Sequence, residues 1–384
     1  MHASYAKREQ SYRSLGIHIP FWCLILLSWR FFEARFVGDP SHYLWNIVNF
    51  ESFFLPHDRY SNAALELFPL VATHLRLPLR WIAISYSVGI PLFNYAIALT
   101  LAYAFRRVDL ALAYVVFMVG FSLFVFIWCI DDVGQGFGAC FVLTAILDLR
   151  TRSLVASTAR FLGAVATSLI ALFFHPLAAG GVAFCFAFSW CHGRRIPFGD
   201  VLAAVAAFAI FGAFKVFKVS PYESARFINV EVSSYLRSLA LNSEYVLTVH
   251  WPAVGLLVVA LVRLHQNRRW LLMAIFAAAP FVYVALVSLT NSATTTWIYR
   301  WRLFGPTLFF AILGVQASLV AGQFFWSRAL VLMLVTALVG SGVVRTIGDL
   351  KYAADRQAAI LRMIDSRPDP LEPCLVIDRA AAGD

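Results

Sequence analysis

Apolar residues gather into long runs separated by short polar links. In order the runs lie at about 17–32, 79–105, 109–130, 134–148, 153–174, 177–191, 199–217, 247–264, 270–290, 304–324 and 329–347. A bilayer-crossing helix needs about 20 mostly apolar residues, and these runs meet or approach that length. The pattern predicts an all-α, polytopic membrane helix bundle with about 11 transmembrane helices. A β-barrel would show short alternating strands instead.

Two wide gaps, 33–78 and 219–244, predict external loops that carry amphipathic helices. In the first, Asn62 to Leu75 has an apolar face of Leu65, Leu67, Phe68, Leu70, Val71 and Leu75, which suits a re-entrant or interface-lying helix. In the second, Ile228, Val232, Tyr235, Leu236 and Leu239 recur at helical spacing after Pro221, a residue that can open a helix. Residues 1–347 therefore form a transmembrane domain with two external loops. Residues 348–384 form a short extramembrane tail, with a small helix expected at Ala353–Ile364 and a strand at Leu371–Asp378.

Charge sets the orientation. Lys7, Arg8 and Arg13 place the N-terminus in the cytoplasm, and Arg106/Arg107, Arg150/Arg152, Arg194/Arg195 and Arg263/Arg268/Arg269 fall on that same side. Both wide loops, the Asp131-Asp132 pair and the tail fall on the other side. Arg300 and Arg302 also fall there, against the positive-inside rule. A bacterial inner membrane is the expected location.

Composition agrees. Mean hydropathy is +0.74. Charged residues make up 14%, against roughly 25% in a soluble globular chain. A net charge of +10 would suggest nucleic acid in a soluble protein, but here it sits in the links between apolar runs, so nucleic acid is not an expected partner. The first run has no small-x-small cleavage site after it, and Trp, Arg and Phe intervene, so it reads as a retained helix. The six cysteines show no CxxC spacing and mostly lie within or at the ends of apolar runs.

Ionisable groups concentrate between the first two runs. Residues 33–78 hold five acids, three arginines and three histidines, among them Asp39, His42, His57, Arg59 and Glu66. The expected external face adds Asp131 and Asp132, Lys215 and Lys218, Arg226, and Arg300 and Arg302. A carboxylate with a raised pKa can take a proton from a hydroxyl. Asp131 and Asp132 together can hold a divalent cation. They precede glycines, which would let a ligand approach the backbone. Lysine and arginine suit phosphate, here Arg59, Lys215, Lys218, Arg300 and Arg302. His42, His57, Glu66 and Arg226 are supporting groups. Asp39 precedes Pro40, a setting also common in turns. His175 before Pro176 reads as structural.

The layout of one helix, a large external loop with an early aspartate after Arg35-Phe-Val-Gly38, and then many helices resembles the GT-C superfamily of membrane glycosyltransferases. That resemblance implies a polyprenyl-phosphate sugar donor and a glycan, lipid or protein acceptor. It implies Asp39 as general base and Asp131 or Asp132 as a second acid. It rests on layout and one acidic position, and Pro40 departs from the acidic pair many members carry. Two other readings are a lipid-linked glycan polymerase or ligase that leans on the arginines, and a flippase or transporter for an anionic lipid-linked substrate. For a flippase, Arg160 is the charge best placed to line a route.

Overall fold

The computed structural model describes residues 2–36, 39–126, 132–149, 153–193, 198–218, 232–290, 303–319 and 325–365. Among them are fourteen α-helices and no strand. The helices are α1 (His2–Arg30), α2 (Asp39–Phe50), α3 (Ala63–His74), α4 (Leu79–Leu99), α5 (Val108–Phe124), α6 (Asp132–Leu147) and α7 (Leu154–Phe174). They continue with α8 (Ala179–Gly193), α9 (Phe198–Phe217), α10 (Val232–Val249), α11 (Trp251–Gln266), α12 (Trp270–Thr290), α13 (Phe304–Leu319) and α14 (Phe325–Asp365).

Each apolar run contributes a helix among the described residues. Five helices are long and apolar enough to cross a membrane, or six if a bent pair counts as one span. Five more are apolar but shorter: Leu15–Arg30, Val108–Phe124, Asp132–Leu147, Pro176–His192 and Phe304–Ser318. Several short ones are central. Every residue of α6 except Val142 is buried, as expected of a helix that is apolar all round. Its aromatic side meets α13, with Phe137 and Phe141 ring centroids 5.1 and 5.2 Å from that of Phe309. The outer helices α7, α9 and α14 expose most of their apolar surface.

Five sequence expectations need correction. The first helix starts at His2 and continues through the polar N-terminus. The third ends at Phe124, well before the expected 130. The eighth run is interrupted. Residues Val232–Val249 and Trp251–Gln266 meet at 86°, because Pro252 cannot donate to the preceding turn and disfavours helical backbone just before it. The expected link at 325–328, between the last two apolar runs, is already helical, since α14 begins at Phe325. The small tail helix is the end of α14, a continuous helix of 41 residues. The expected strand at 371–378 lies outside the described residues, as do residues 219–231 of the second wide loop.

Polar contacts gather at two ends of the bundle. At one end Arg107 pairs with Asp109 and Asp148, Gln316 donates to Asp109, and Arg160 pairs with Asp200. At the other, Arg35 donates to the Ser87 and Phe126 carbonyls, Arg59 pairs with Asp132, and Thr346 donates to the Leu123 carbonyl. Helices α5 and α6 each contribute to both sets from opposite termini.

Candidate functional site

The segment between α1 and α4 folds back over the second of these ends. Pro40 sits in the first turn of α2, where its missing N–H costs nothing, so Asp39 opens a helix and does not form a turn. Helix α2 buries Tyr43, Leu44 and Ile47 and exposes Trp45 and Phe50. Helix α3 buries Leu65, Glu66 and Pro69. Short 3-10 turns at Pro56–Asp58 and Tyr60–Asn62 join them.

This arrangement brings Arg59 to Asp132. Their ion pair is buried, with side-chain exposures of 11% and 6%. Asp132 lies in the first turn of α6, where the helix dipole favours an anion. Its second oxygen accepts from the Asn62 amide at 2.9 Å. Glu66, one turn beyond Asn62, is fully buried, and its Oε2 accepts the Phe54 backbone N–H at 2.8 Å. Burial pushes the Glu66 carboxyl up to about 8, the Phe54 hydrogen bond pulls it partly back, and the negative charge of Asp132 raises it further. Glu66 is therefore mostly protonated at neutral pH.

The lysines border this network. Lys215 Nζ donates to the His57 carbonyl at 3.4 Å, and Lys218 Nζ donates to the Tyr60 hydroxyl at 3.4 Å. His42 is exposed on α2 and places its ring 5.1 Å from Phe54. The His175 Nδ1 accepts the Leu177 N–H at 3.1 Å, which closes the turn after α7. Asp131, Arg226, Arg300 and Arg302 lie outside the described residues, and so does the side chain of Asp39.

The site differs from the expectation in two respects. Arg59 is committed to Asp132, so neither group stands open to phosphate or to an acceptor hydroxyl in this arrangement. The glycines after Asp132 do not bare the backbone to a ligand. A Cβ on Gly134 would overlap the Phe121 ring, and one on Gly136 would stand 2.8 Å from the Ala178 Cβ. They let α5 and the α7–α8 turn pack closely on α6. Asp131, the other half of the expected cation pair, lies outside the described residues, and Asp132 has both oxygens in hydrogen bonds.

Sequence reasoning missed Asn62 and Arg35. Arg35 is buried, donating to the Ser28 hydroxyl, to the Ser87 carbonyl at 2.7 Å and to the Phe126 carbonyl at 3.2 Å, with its guanidinium 5.0 Å from the Phe126 ring centroid. Its position among Phe31, Phe32, Phe36 and Val37 between α1 and α2 was the available signal. Asn62 offered none, since an asparagine before a helix reads as an ordinary cap.

No family model, curated protein or solved structure matches the chain. The functional reading therefore rests on the site and on the resemblance of layout.

Proposed function

We propose that the chain is a polytopic membrane glycosyltransferase that moves a sugar from a polyprenyl-phosphate donor to an acceptor on the extracytoplasmic face. In this reading all eleven apolar helices cross a bacterial inner membrane, the N-terminus is cytoplasmic, and the Asp132 end of the bundle is external. The observation that carries the reading is the folded segment 39–74. It covers that end of the bundle, buries an Arg59–Asp132–Asn62 network there, and stands beside Lys215 and Lys218.

The donor phosphate lies against Lys215 and Lys218, with Arg300 and Arg302 as further cations, and its lipid tail runs between helices. Asp39 accepts the proton of the acceptor hydroxyl. The hydroxyl oxygen bonds to the anomeric carbon as the bond to the lipid phosphate breaks, and the electron pair leaves on that phosphate. One displacement inverts the anomeric centre. Arg59 and Asp132 hold the segment that carries Asp39 and touch no reacting atom. No step calls on a divalent cation.

Arg160 argues for this reading over a flippase. Its guanidinium pairs with Asp200 at 2.8 Å and donates to the Leu147 carbonyl at 2.7 Å. It ties the far end of α6 to α9, so its charge is committed to Asp200.

The test is transfer of a labelled sugar from polyprenyl-phosphate donors by purified protein, with Asp39→Asn alongside. Transfer by wild type and its loss in a well-folded Asp39→Asn protein are expected. Normal transfer by Asp39→Asn removes Asp39 from the mechanism. Absence of transfer by both, across several sugars and with acceptor extract present, overturns the reading.

A further inference from the structure

Glu66 differs from the other charged groups around it. Its Oε2 holds the Phe54 N–H, while its Oε1 is buried and meets no hydrogen-bond partner among the described residues. An ionised carboxylate would need donors at both oxygens. The guanidinium nearby is already committed to Asp132.

The chain between the two anchors is strained. His57 and Asp58 both have positive φ, 59° and 58°, in the left-handed region that L residues adopt at a cost. They lie between Phe54, held by Glu66, and Arg59, held by Asp132. A backbone in that state persists only while its surroundings hold it.

We propose that Glu66 is a proton-binding latch: as a neutral acid it clamps the 54–62 connection onto the end of α6, and loss of its proton releases that connection. The inference rests on the buried network alone and does not depend on which reaction the chain performs.

Among the charged groups around Glu66, Asp132 on α6 is the like charge that favours the neutral form, and Arg59 pairs with it. Within the connection lie His57 and Asp58. From α2, His42 reaches the connection through its ring contact with Phe54. On α4, which packs along α3, Tyr86 is buried. Helix α7 offers the Ile170 carbonyl, which accepts from Ser61 at 2.8 Å, and α9 offers Lys215, which binds the His57 carbonyl.

The direction with pH follows from the two states. The closed state holds its proton up to about pH 8, and the released state holds it only to the ordinary 4.5. Between those values release frees one proton. Opening therefore rises about tenfold per pH unit, levels off above about pH 8, and spans about 3,000-fold in all. The clamp is strongest in acid and is lost as pH rises.

Hydrogen exchange of the peptide covering residues 51–62, in detergent-solubilised full-length protein, tests this. Once corrected for intrinsic exchange, wild-type protection falls with pH and then levels off. Glu66→Gln, which keeps the shape of the neutral acid, stays protected at every pH. A flat wild-type profile, or the same slope in Glu66→Gln, overturns the proposal. Infrared titration is a second readout that does not depend on the variant's folding. It expects the carbonyl stretch of a protonated carboxyl to disappear between about pH 4.5 and about pH 8, and its persistence above that range or its absence from the start overturns the proposal.

Discussion

The buried pair of Arg59 and Asp132 makes a prediction that separates holding from mere contact. Removing one partner of a buried ion pair strands the other, at about 3–5 kcal/mol. Arg59→Met leaves Asp132 with only the Asn62 amide. Asp132→Leu leaves both the guanidinium and that amide without their acceptor, so it should be the costlier single change. Replacing both together, as Arg59→Met with Asp132→Leu, removes the charges and leaves one unpaired buried amide, at about 1–3 kcal/mol. The double variant should therefore be more stable than either single variant. Reversible unfolding by SDS in mixed micelles, followed by circular dichroism, gives the three free energies. A double variant that loses the sum of the two single losses would refute the argument. It would mean that the pair is solvated or that each side chain acts through separate neighbours.

Two further outcomes follow from packing and from the opposite end of the bundle. Gly134→Ala should destabilise by about 1–3 kcal/mol, because its methyl group meets the buried Phe121 ring. Gly212→Ala, in α9 with no neighbour within 4 Å of the new carbon, should be neutral or stabilising by up to about 1 kcal/mol. Thermal unfolding in one detergent compares them, and equal losses would refute the packing assignment. Arg160→Ala should cost about 3–5 kcal/mol, because it strands Asp200, whose side chain is 4% exposed. The same unfolding measurement checks it, and a loss below 1 kcal/mol would show the pair to be solvated.

The apolar runs were legible because a bilayer-facing helix must satisfy its backbone internally and present apolar side chains over many residues. That signal is local and needs no partner. The positions of helix ends were less legible. Pro252 broke the eighth run at His250, while the polar stretch after residue 347 did not stop α14. A charged surface is compatible with a helix that has left the membrane. The candidate site was legible as a set of residue types and not as a set of pairings. Arg59 and Asp132 were both singled out, yet one was assigned to phosphate and the other to a second acid or a cation site. Their union depends on how the 72 residues between them fold. Asn62 was invisible for the same reason. Glu66 was read only as a supporting acid, and its burial came with the packing of α3 on α4.

The enclosure of α6 has a consequence for how the molecule is made. Helices α5, α7 and α8 can gather around α6 as soon as they are synthesised. Phe137 and Phe141 also need Phe309, and Phe137 needs Tyr283, whose ring lies 5.5 Å away. Both partners leave the ribosome more than a hundred residues later. Until then that aromatic flank of α6 lacks its protein partners, so the surroundings of the central helix are complete only once α12 and α13 have joined the N-terminal helices.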